Sequence, residues 1–356
     1  MSGAPPVLAD LTPEWIEALL QSQGTAANVA QVTPTPIGTG QVGATYRLVI
    51  QYRGAAGGAP DTLVAKLPSN DPTSRAAGKS HLTYVRESRF YQLLAGKKPM
   101  PVPEHLFIAF DDESHDFALI MRDLPRHVAG NQLATPTPEE ARLAMGAAAA
   151  IHAGWWGDPM LDTLDWLNGT RAIPAPIDTE MLYSMFWPAF CDRYGARVTA
   201  DMKRVGDAYM GKIKAWSEMR PGPRCLTHGD FRPDNMLFDL ADEGKPIVVV
   251  DWQTVGVGSG VSDIAYYLGT ALDPAHRKAE EASLFAHYRE KLEAHGVSDT
   301  ADLWDSCRGG AFSGFLMGAT AAMVVQQTDR GDNMFLTMCG RSAAMVLDHA
   351  DIALPG

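Results

Sequence analysis

Cysteine is scarce in this sequence, and its few copies are scattered. None of them forms a C-x-x-C pair among the 356 residues, and the four are Cys191, Cys225, Cys307 and Cys339. Disulfide frameworks and zinc sites both need regularly spaced cysteines. The pattern therefore predicts reduced thiols without a chemical role.

Dense basic segments are also missing. The chain carries 30 Lys and Arg against 42 Asp and Glu, which gives a formal net charge of -12. Nucleic-acid binding requires clustered cations that contact phosphates, so we predict no nucleic-acid partner. An acidic surface usually serves solubility, although it could also favour a cationic substrate.

No segment has the length and apolarity of a membrane span. The N-terminus lacks the basic and apolar regions of a signal peptide. The longest apolar stretch, residues 312–325, is interrupted by Ser, Gly and Thr and is shorter than the ~20 residues that cross a bilayer. Gly314 and Gly318 within it predict close helix packing. We expect a soluble cytoplasmic protein with no membrane partner.

Helix and strand patterns divide the chain into two predicted lobes. A chain of 356 residues is longer than chains that usually fold around a single hydrophobic core. In residues 1–124 the pattern predicts an opening helix at 12–24, a hairpin within 37–67, an inward helix at 80–94 and a strand at 117–121.

Residues 125–356 are predicted to be mainly helical. A long helix is expected at 138–152, and residues 236–238 and 247–250 are expected to form a small hairpin. The predicted fold class is therefore α+β, with the strands concentrated in the N-terminal part.

Three glycines, Gly38, Gly40 and Gly43, match the pattern G-x-G-x-x-G. The pattern alone is weak, because three glycines also occur in ordinary turns. A dinucleotide-binding loop must open a helix, whereas an alternating strand follows here, and a Walker loop needs Lys where Ala44 stands. The remaining interpretation is a strand-turn-strand flap whose backbone closes over nucleotide phosphates, as in kinases.

A lysine and a glutamate downstream of this flap are candidates for an ion pair. Lys66 ends a strand with the sequence Val-Ala-Lys, close to the kinase motif whose lysine contacts the α- and β-phosphates. Glu87 shares a predicted helix face with apolar and aromatic residues, so its carboxylate points inward and needs a partner. Lys66 is the natural partner, with Arg86 and Arg89 as alternatives.

The strongest signal is the segment His228-Gly-Asp230-Phe-Arg232-Pro-Asp234-Asn235. Kinase catalytic loops follow H-x-D-x-x-x-x-N, in which Asp accepts the hydroxyl proton and Asn reaches a metal. Asp230 is therefore the predicted base and Asn235 a predicted metal ligand. Arg232 could neutralise charge on the transferred phosphoryl group, or it could be a surface arginine. The alternative for the whole segment is a turn capped by His228 and Asp234.

Asp251 follows the buried apolar strand at 248–250. A carboxylate there needs compensation, which Mg²⁺ bridging the β- and γ-phosphates of a nucleotide supplies. Asp251 is therefore the expected metal ligand. We interpret Asp263 as a helix cap near the catalytic loop and His152 as a hydrogen-bonded packing residue.

These motifs resemble those of the aminoglycoside phosphotransferase and choline kinase superfamily, and within it the ecdysteroid-kinase-like branch. The resemblance covers roughly residues 35–340, and its most specific motifs are His-Gly-Asp-x-x-x-x-Asn at 228–235 and Asp-Trp-Gln at 251–253. Supporting motifs lie at 86–91 and 151–156. The Gln at the end of Asp-Trp-Gln favours the ecdysteroid-kinase-like branch.

The resemblance implies a protein-kinase-like, two-lobed α+β fold. The β-rich N-lobe is expected at 1–124 and the mainly helical C-lobe at 125–356. ATP is expected between the lobes, with Mg²⁺ on Asn235 and Asp251.

The implied activity is transfer of the γ-phosphate of ATP to a hydroxyl group of a small molecule. Asp230 would be the base and Lys66 would contact phosphate. Adenine is expected beside the strand that ends at Met121, which makes that residue a cofactor contact. Arg122 stands where an acidic residue is common in the family, which leaves the choice between ATP and GTP open.

Three other functions remain as alternatives. A protein kinase is disfavoured, because only eleven residues separate Asp251 from Asp263 and no Ala-Pro-Glu follows to complete a peptide-docking loop. A nucleotide-binding pseudokinase scaffold would not need to retain Asp230 together with the metal ligands. An aminoglycoside- or choline-type kinase would take a cationic acceptor, whereas aromatic residues expected to line an acceptor pocket at 138–216 and 284–345 favour an apolar or mixed alcohol.

Overall fold

A computed structural model describes residues 4–38, 42–168, 178–218 and 223–355 of the chain. It divides into two compact units. The first unit consists of Met1–Lys98, Val102–Arg126 and Asp251–Gln253, and the second of Pro99–Pro101, His127–Val250 and Thr254–Gly356.

The first unit is built on one antiparallel five-stranded sheet, in the order β1-β2-β3-β5-β4. Its strands are β1 Val29–Pro36, β2 Gly43–Tyr52, β3 Thr62–Pro68, β4 His105–Phe110 and β5 Phe117–Arg122. The predicted hairpin within 37–67 is confirmed as the β2–β3 pair, and Tyr46, Leu48 and Ile50 of β2 bury their side chains in the core beneath the sheet. The alternation seen in the sequence therefore corresponds to one buried face.

Three helices accompany this sheet: α1 Pro13–Ser22, α2 Pro72–Ser80 and α3 Thr83–Leu93. The predicted opening helix is α1, and Thr12 caps it by accepting a hydrogen bond from Trp15 N. The predicted start of a helix at residue 80 is wrong, because Leu82 has a left-handed backbone (φ 57°) that separates α3 from α2. The inward helix therefore begins at Thr83.

The second unit is mainly helical, as predicted. Its helices are α4 Pro138–Gly154, α5 Asp165–Asn168, α6 Thr179–Tyr194, α7 Ala200–Ala208, α8 Ile213–Glu218, α9 Val261–Ala271, α10 Pro274–Ala294, α11 Leu303–Gly309, α12 Ser313–Val324, α13 Asp329–Asp348 and α14 Ala350–Ala353. Two small antiparallel sheets, β6-β8-β9 and β10-β7, join strands β6 Val128–Ala129, β7 Arg224–Thr227, β8 Met236–Phe238, β9 Ile247–Val249 and β10 Gly256–Ser259. The β8–β9 pair is the predicted small hairpin.

Aromatic side chains of α6, α7 and α12 form the core of the second unit. Trp187 and Phe315 are in ring contact, and Phe312 stacks on Tyr209 with ring centroids 3.5 Å apart. All four side chains are at most 2% exposed. The expectation that the aromatic residues of these helices line an acceptor pocket is therefore wrong for this cluster, because the rings pack against one another.

The apolar stretch at 312–325 forms α12, which packs closely on its neighbours. A Cβ on Gly314 would lie 2.3 Å from the Thr270 side chain, and one on Gly318 would lie 2.9 Å from Cys339 Sγ. Close helix packing is thus confirmed as the reason for these glycines. None of the helices within the described residues is long and apolar enough to cross a membrane.

Candidate active site

A buried aspartate in the first turn of α9 holds the backbone of the predicted catalytic loop. Asp263 accepts hydrogen bonds from His228 N at 2.7 Å and Gly229 N at 2.9 Å. The prediction that Asp263 caps its own helix is wrong, because the N-cap position is Gly260. Its role is nevertheless structural: burial would raise the pKa of Asp263, but the hydrogen bond and charge of His152 and the charge of His228 hold it below its usual value.

His152 completes this arrangement from α4. The side chain is fully buried, with Nε2 3.2 Å from Asp263 Oδ2 and Nδ1 2.9 Å from the hydroxyl of Tyr288. The interpretation of His152 as a hydrogen-bonded packing residue is therefore confirmed.

Gly229 is required by the tight path of the loop. Its φ is +82°, and a Cβ at this position would lie 2.5 Å from the carbonyl oxygen of Thr254. Thr254 Oγ1 also donates a hydrogen bond to His228 O at 2.8 Å. Any side chain larger than hydrogen would push the loop away from this segment.

Asp230, the predicted base, is surrounded by donors. Arg232 Nε lies 3.0 Å from each carboxylate oxygen, the Tyr266 hydroxyl donates to Oδ1 at 2.6 Å, and Asn235 Nδ2 donates to Oδ2 at 2.8 Å. Burial alone would raise the pKa of Asp230, but the Arg232 charge and the Tyr266 hydrogen bond outweigh it and lower the pKa below its usual value. Asp230 is therefore an oriented, ionised carboxylate at neutral pH.

Arg232 is not a surface arginine, since its side chain is only 16% exposed. Besides Asp230, its Nη1 contacts Asp234 Oδ2 at 3.0 Å. Asp234 in turn accepts hydrogen bonds from Gln132 N and from Arg330 at the start of α13. The interpretation of the segment as a simple capped turn is therefore wrong, because its charged side chains form a buried network with Asp230.

We predict that Tyr266→Phe makes the reaction more sensitive to acid. Because the folded-state pKa of Asp230 is depressed, its ionised form is present above that pKa and is lost as the pH falls through it. Removing the Tyr266 hydroxyl removes one stabiliser of the anion, so the acidic limb of the kcat/KM profile should move to higher pH. Tyr267→Phe is the matched control, because the Tyr267 hydroxyl is buried without a hydrogen-bond partner among the described residues. Equal profiles for Tyr266→Phe and Tyr267→Phe would contradict the prediction.

In the first unit, Lys66 lies between two carboxylates. Its Nζ is 2.7 Å from Glu87 and 2.6 Å from Asp251 Oδ1, and its side chain is 15% exposed. The predicted Lys66–Glu87 ion pair is thus present, whereas the alternative partner Arg89 pairs with Asp112. Burial would lower the pKa of Lys66, but the charges of Asp251 and Glu87 outweigh it and raise the pKa, so the ammonium group stays charged.

Asp251 has an unusual backbone. Its φ of +66° is left-handed, which is uncommon for a residue other than glycine but tolerated by Asp and Asn. Gln253 Nε2 donates to Asp251 Oδ2 at 3.1 Å, and Trp252 stacks on Phe90 of α3 with ring centroids 4.0 Å apart. The Asp-Trp-Gln motif therefore combines a carboxylate that contacts Lys66, a buried tryptophan and an amide that orients the carboxylate.

We predict that Lys66→Ala and Glu87→Ala are not additive. Each single change leaves a buried charge without one of its partners, so the cost of the second change should be smaller in the background of the first. A double-mutant cycle on the free energy of unfolding should give a coupling of about 0.5–3 kcal/mol. The cycle of Glu87→Ala with Arg89→Ala should be additive within about 0.5 kcal/mol, because Arg89 pairs elsewhere. Additive losses in the Lys66–Glu87 cycle would show that the ion pair carries no energy.

The glycine-rich segment lies between antiparallel strands β1 and β2, which is the predicted strand-turn-strand arrangement. Gly38 has a left-handed φ of +75°, and Gly43 begins β2 beside Lys66 of β3. Gly40 lies outside the described residues. Met121 lies in β5 opposite Val64 of β3 and is 8% exposed.

Tyr84 of α3 anchors the end of this segment and was missed by the sequence analysis. Its hydroxyl donates to Val42 O at 2.5 Å and accepts from Ser69 N at 3.1 Å. A Cβ on Gly78 of α2 would lie 2.5 Å from the Tyr84 ring. Only glycine at position 78 therefore allows α2 to lie this close to Tyr84. The helix that carries Glu87 therefore also positions the start of β2.

The oxygen donors of Asn235 and Asp251 suit Mg²⁺ chemically. Mg²⁺ usually takes one or two carboxylates, nucleotide phosphates and water, so a cage of protein ligands is not needed. Among the described residues there is no group of three or more His, Cys, Asp and Glu placed to hold a metal. Asn235 donates its amide NH₂ to Asp230, which leaves the carbonyl Oδ1 as the ligating atom. The residues therefore fit the expected ion.

The fold is that of small-molecule kinases. The microcompartment-associated aminopropanol kinase is 13% identical, with 96% of this chain and 99% of that chain covered at a TM-score of 0.52. A Plasmodium vivax ethanolamine kinase is 11% identical, with 92% and 87% covered at a TM-score of 0.53. The GDP complex of aminoglycoside 2'-phosphotransferase-IIIa is 15% identical, with 93% and 98% covered at a TM-score of 0.50. At these identities the similarity is one of fold, and it confirms the predicted kinase-like α+β class.

The sequence matches the family model of the phosphotransferase enzyme family over residues 35–309. The chain belongs to this family. The assignment confirms that the predicted activity class is that of a phosphotransferase. No curated protein has a matching sequence.

Proposed function

We propose that the chain transfers the γ-phosphate of ATP to a small alcohol, with Asp230 as the base. The observation that carries this proposal is the Asp230 carboxylate, which is buried and ionised and is held by donors from Arg232, Tyr266 and Asn235. Such a carboxylate can orient the acceptor hydroxyl and take its proton as the new phosphate ester bond forms. Arg232 keeps Asp230 ionised and adds positive charge for the transferred group.

Nucleotide binding is proposed for residues of the first unit. Lys66 would contact the α- and β-phosphates, and Glu87 would hold its ammonium group in place. Support comes from the two short ion pairs of Lys66 and from the raised pKa that keeps it charged. Gly38 and Gly43, with Gly40 between them in the sequence, would cover the phosphates, and Met121 would contact the base.

Mg²⁺ is proposed to be held by Asn235 and Asp251. When bound, the ion would neutralise charge on the β- and γ-phosphates. Asp251 is oriented for this by Gln253 Nε2, and Asn235 by the hydrogen bonds that it donates to Asp230. Lys66 also forms an ion pair with Asp251, so the lysine proposed to bind phosphate directly contacts a proposed metal ligand.

We propose that the acceptor is an apolar or mixed alcohol. We also propose that, within its family, the chain belongs to the ecdysteroid-kinase-like branch. Gln253, which distinguishes the motif, contacts the Asp251 carboxylate directly, so this residue influences the geometry of the metal ligand. A cationic acceptor remains the alternative, because the neighbours named above include ethanolamine and aminopropanol kinases. A cytoplasmic location stays a prediction.

A nucleotide-release assay tests the proposed function. The purified protein is incubated with Mg²⁺ and either ATP or GTP, together with sterols, linear alcohols, amino alcohols or aminoglycosides, and diphosphate release is measured. GTP is included because one structural neighbour is a GDP complex. We expect release to rise with at least one hydroxylated small molecule. Efficient phosphorylation of proteins, with no stimulation by any small molecule, would refute the proposal.

A further inference from the structure

The second unit has a concave surface whose lining contains none of the residues that surround Asp230. Its walls are formed by α4, by α10 and by the segments 99–101 and 244–247, and we name it the α4–α10 groove. The groove has a volume of about 850 Å³, within the range of sites that bind small organic molecules. None of its lining residues has a role in the proposed phosphoryl transfer.

The floor of the groove is apolar and formed mainly by small side chains. Leu143, Gly146, Ala147 and Ala150 of α4 line it, together with Met100. Glycine destabilises a helix interior relative to alanine, so a glycine in the middle of α4 needs a reason. Packing among the described residues supplies no such reason, because a Cβ on Gly146 would meet none of their atoms within 4 Å. A ligand that lies on the backbone of α4 would explain why this position is glycine.

Positive charge surrounds this floor in a chain whose net charge is -12. The lining includes one carboxylate, Glu139, and five basic side chains: Arg142, Lys245, His287, Lys291 and His295. Within the described residues, no carboxylate lies close enough to Arg142, Lys245 or Lys291 to form an ion pair.

His287 lies close to two of the cations that line the groove, Arg142 and Lys291. Arg142 Nη2 lies 3.3 Å from His287 Nδ1, which must accept because a guanidinium only donates. Burial, and then the charges of Arg142 and Lys291, lower the pKa of His287, whereas Glu290, 3.8 Å from Nδ1, acts in the opposite direction. The three permanent cations, Arg142, Lys245 and Lys291, therefore outnumber the carboxylates Glu139 and Glu290 at this surface, which is the pattern expected for an anion-binding site.

We propose that the α4–α10 groove binds a free organic anion with an apolar body. The phosphate or carboxylate group of the anion contacts Arg142, Lys245 and Lys291, where charge-assisted hydrogen bonds are strong. The apolar body lies over Gly146 and is removed from water against the alanine-rich face of α4. The lining does not include Asp230 or any residue proposed to hold nucleotide or metal, although α4 and α10 lie within the ranges in which the sequence predicted an acceptor pocket.

Octyl phosphate is a suitable probe, because it combines a phosphate group with a short apolar chain. Calorimetric titration should show saturable binding of one molecule per chain. Octanol, which keeps the apolar chain, and octyltrimethylammonium, which reverses the charge, should each bind at least about 10-fold more weakly. ATP should not compete with octyl phosphate.

Gly146→Leu places a side chain on the floor of the groove, where its Cβ would meet no atom of the described residues within 4 Å. It should weaken octyl phosphate binding by at least about 10-fold, while the melting temperature stays the same or rises, because leucine favours helix over glycine. The double change Arg142→Glu with Lys291→Glu should have a similar effect and provides a test that does not depend on Gly146→Leu folding. Arg204→Glu, an exposed residue of α7, is the matched charge control and should leave binding unchanged.

Several results would overturn the proposal. One is octyl phosphate binding that is no tighter than octanol binding, or that survives both Gly146→Leu and the double charge reversal. Another is a dimer that Gly146→Leu abolishes, which would assign the groove to a second copy of the chain. Binding to phosphatidylserine vesicles without binding of free octyl phosphate would assign the groove to a membrane surface.

Discussion

Asp230→Asn should cut phosphoryl transfer by about 10²-fold or more while leaving ATP affinity nearly unchanged. Loss of a general base typically costs about 10²–10⁴-fold in rate. Asparagine keeps the shape of the side chain and can still accept the Tyr266 hydrogen bond, so the loop should keep its path, which Asp263 holds through the backbone. Transfer is measured with the best acceptor from the nucleotide-release assay, and affinity by titration with Mg·ATP.

Asp234→Asn is the matched control for this change. Asp234 is also a carboxylate bound by Arg232 and lies in the same loop, but it has no proposed contact with reacting atoms. Its replacement should change transfer by no more than a few fold. If Asp230→Asn lowered ATP affinity as much as it lowered transfer, Asp230 would be a nucleotide ligand and its assignment as the base would be wrong.

Local sequence patterns were sufficient for the parts of the candidate site that depend on one helix or strand. Glu87 could be predicted to point inward from the spacing of α3, and Lys66 from its Val-Ala-Lys motif, so their ion pair followed. The prediction that Lys66 ends its strand is wrong, because β3 continues to Pro68. The contact of Lys66 with Asp251 joins residues 185 positions apart, which no local pattern encodes. The structure was needed to show that Lys66, the lysine proposed to contact phosphate, touches the predicted metal ligand Asp251.

Tyr266 illustrates why the rest of the site could not be predicted. Helix α9 is buried at almost every position, so burial does not distinguish the face that meets Asp230 from the other faces. Tyr266 and Tyr267 are neighbours with similar burial, yet only Tyr266 reaches Asp230. That difference depends on how α9 packs on the loop that carries Asp230. This packing is a tertiary contact, which the local sequence does not encode.

The missed elements of the first unit had different causes. Strand β1 contains Pro34 and Pro36 and is largely exposed, which hides the usual strand pattern, although proline is tolerated on an edge strand such as this one. Helix α2 did carry a recognisable signal. Asp71 accepts from Ser74 N and Pro72 occupies the first turn, a combination typical of a helix start.

Asp251→Asn should weaken Mg²⁺-dependent binding of ATP by about 10²-fold or more. Even changes to residues that only orient metal ligands cost about 10–100-fold in metal affinity, so loss of the charged ligand should cost at least that much. Asparagine is the better substitute here, because it tolerates the left-handed backbone at this position, where φ is +66° and alanine would add strain. ATP binding is titrated at fixed nucleotide with increasing Mg²⁺, and the midpoint should move to higher concentration.

Asp123→Asn provides the matched control, because Asp123 is a carboxylate of the first unit that is also paired with a cation, Arg47 at 2.6 Å. Its replacement should leave the Mg²⁺ midpoint unchanged. Gln253→Ala removes only the hydrogen bond to Asp251 Oδ2 and should give an intermediate shift. If Asp251→Asn and Asp123→Asn shifted the midpoint equally, or if wild-type turnover persisted in excess chelator, Asp251 would not be the metal ligand, and its role would be limited to holding Lys66.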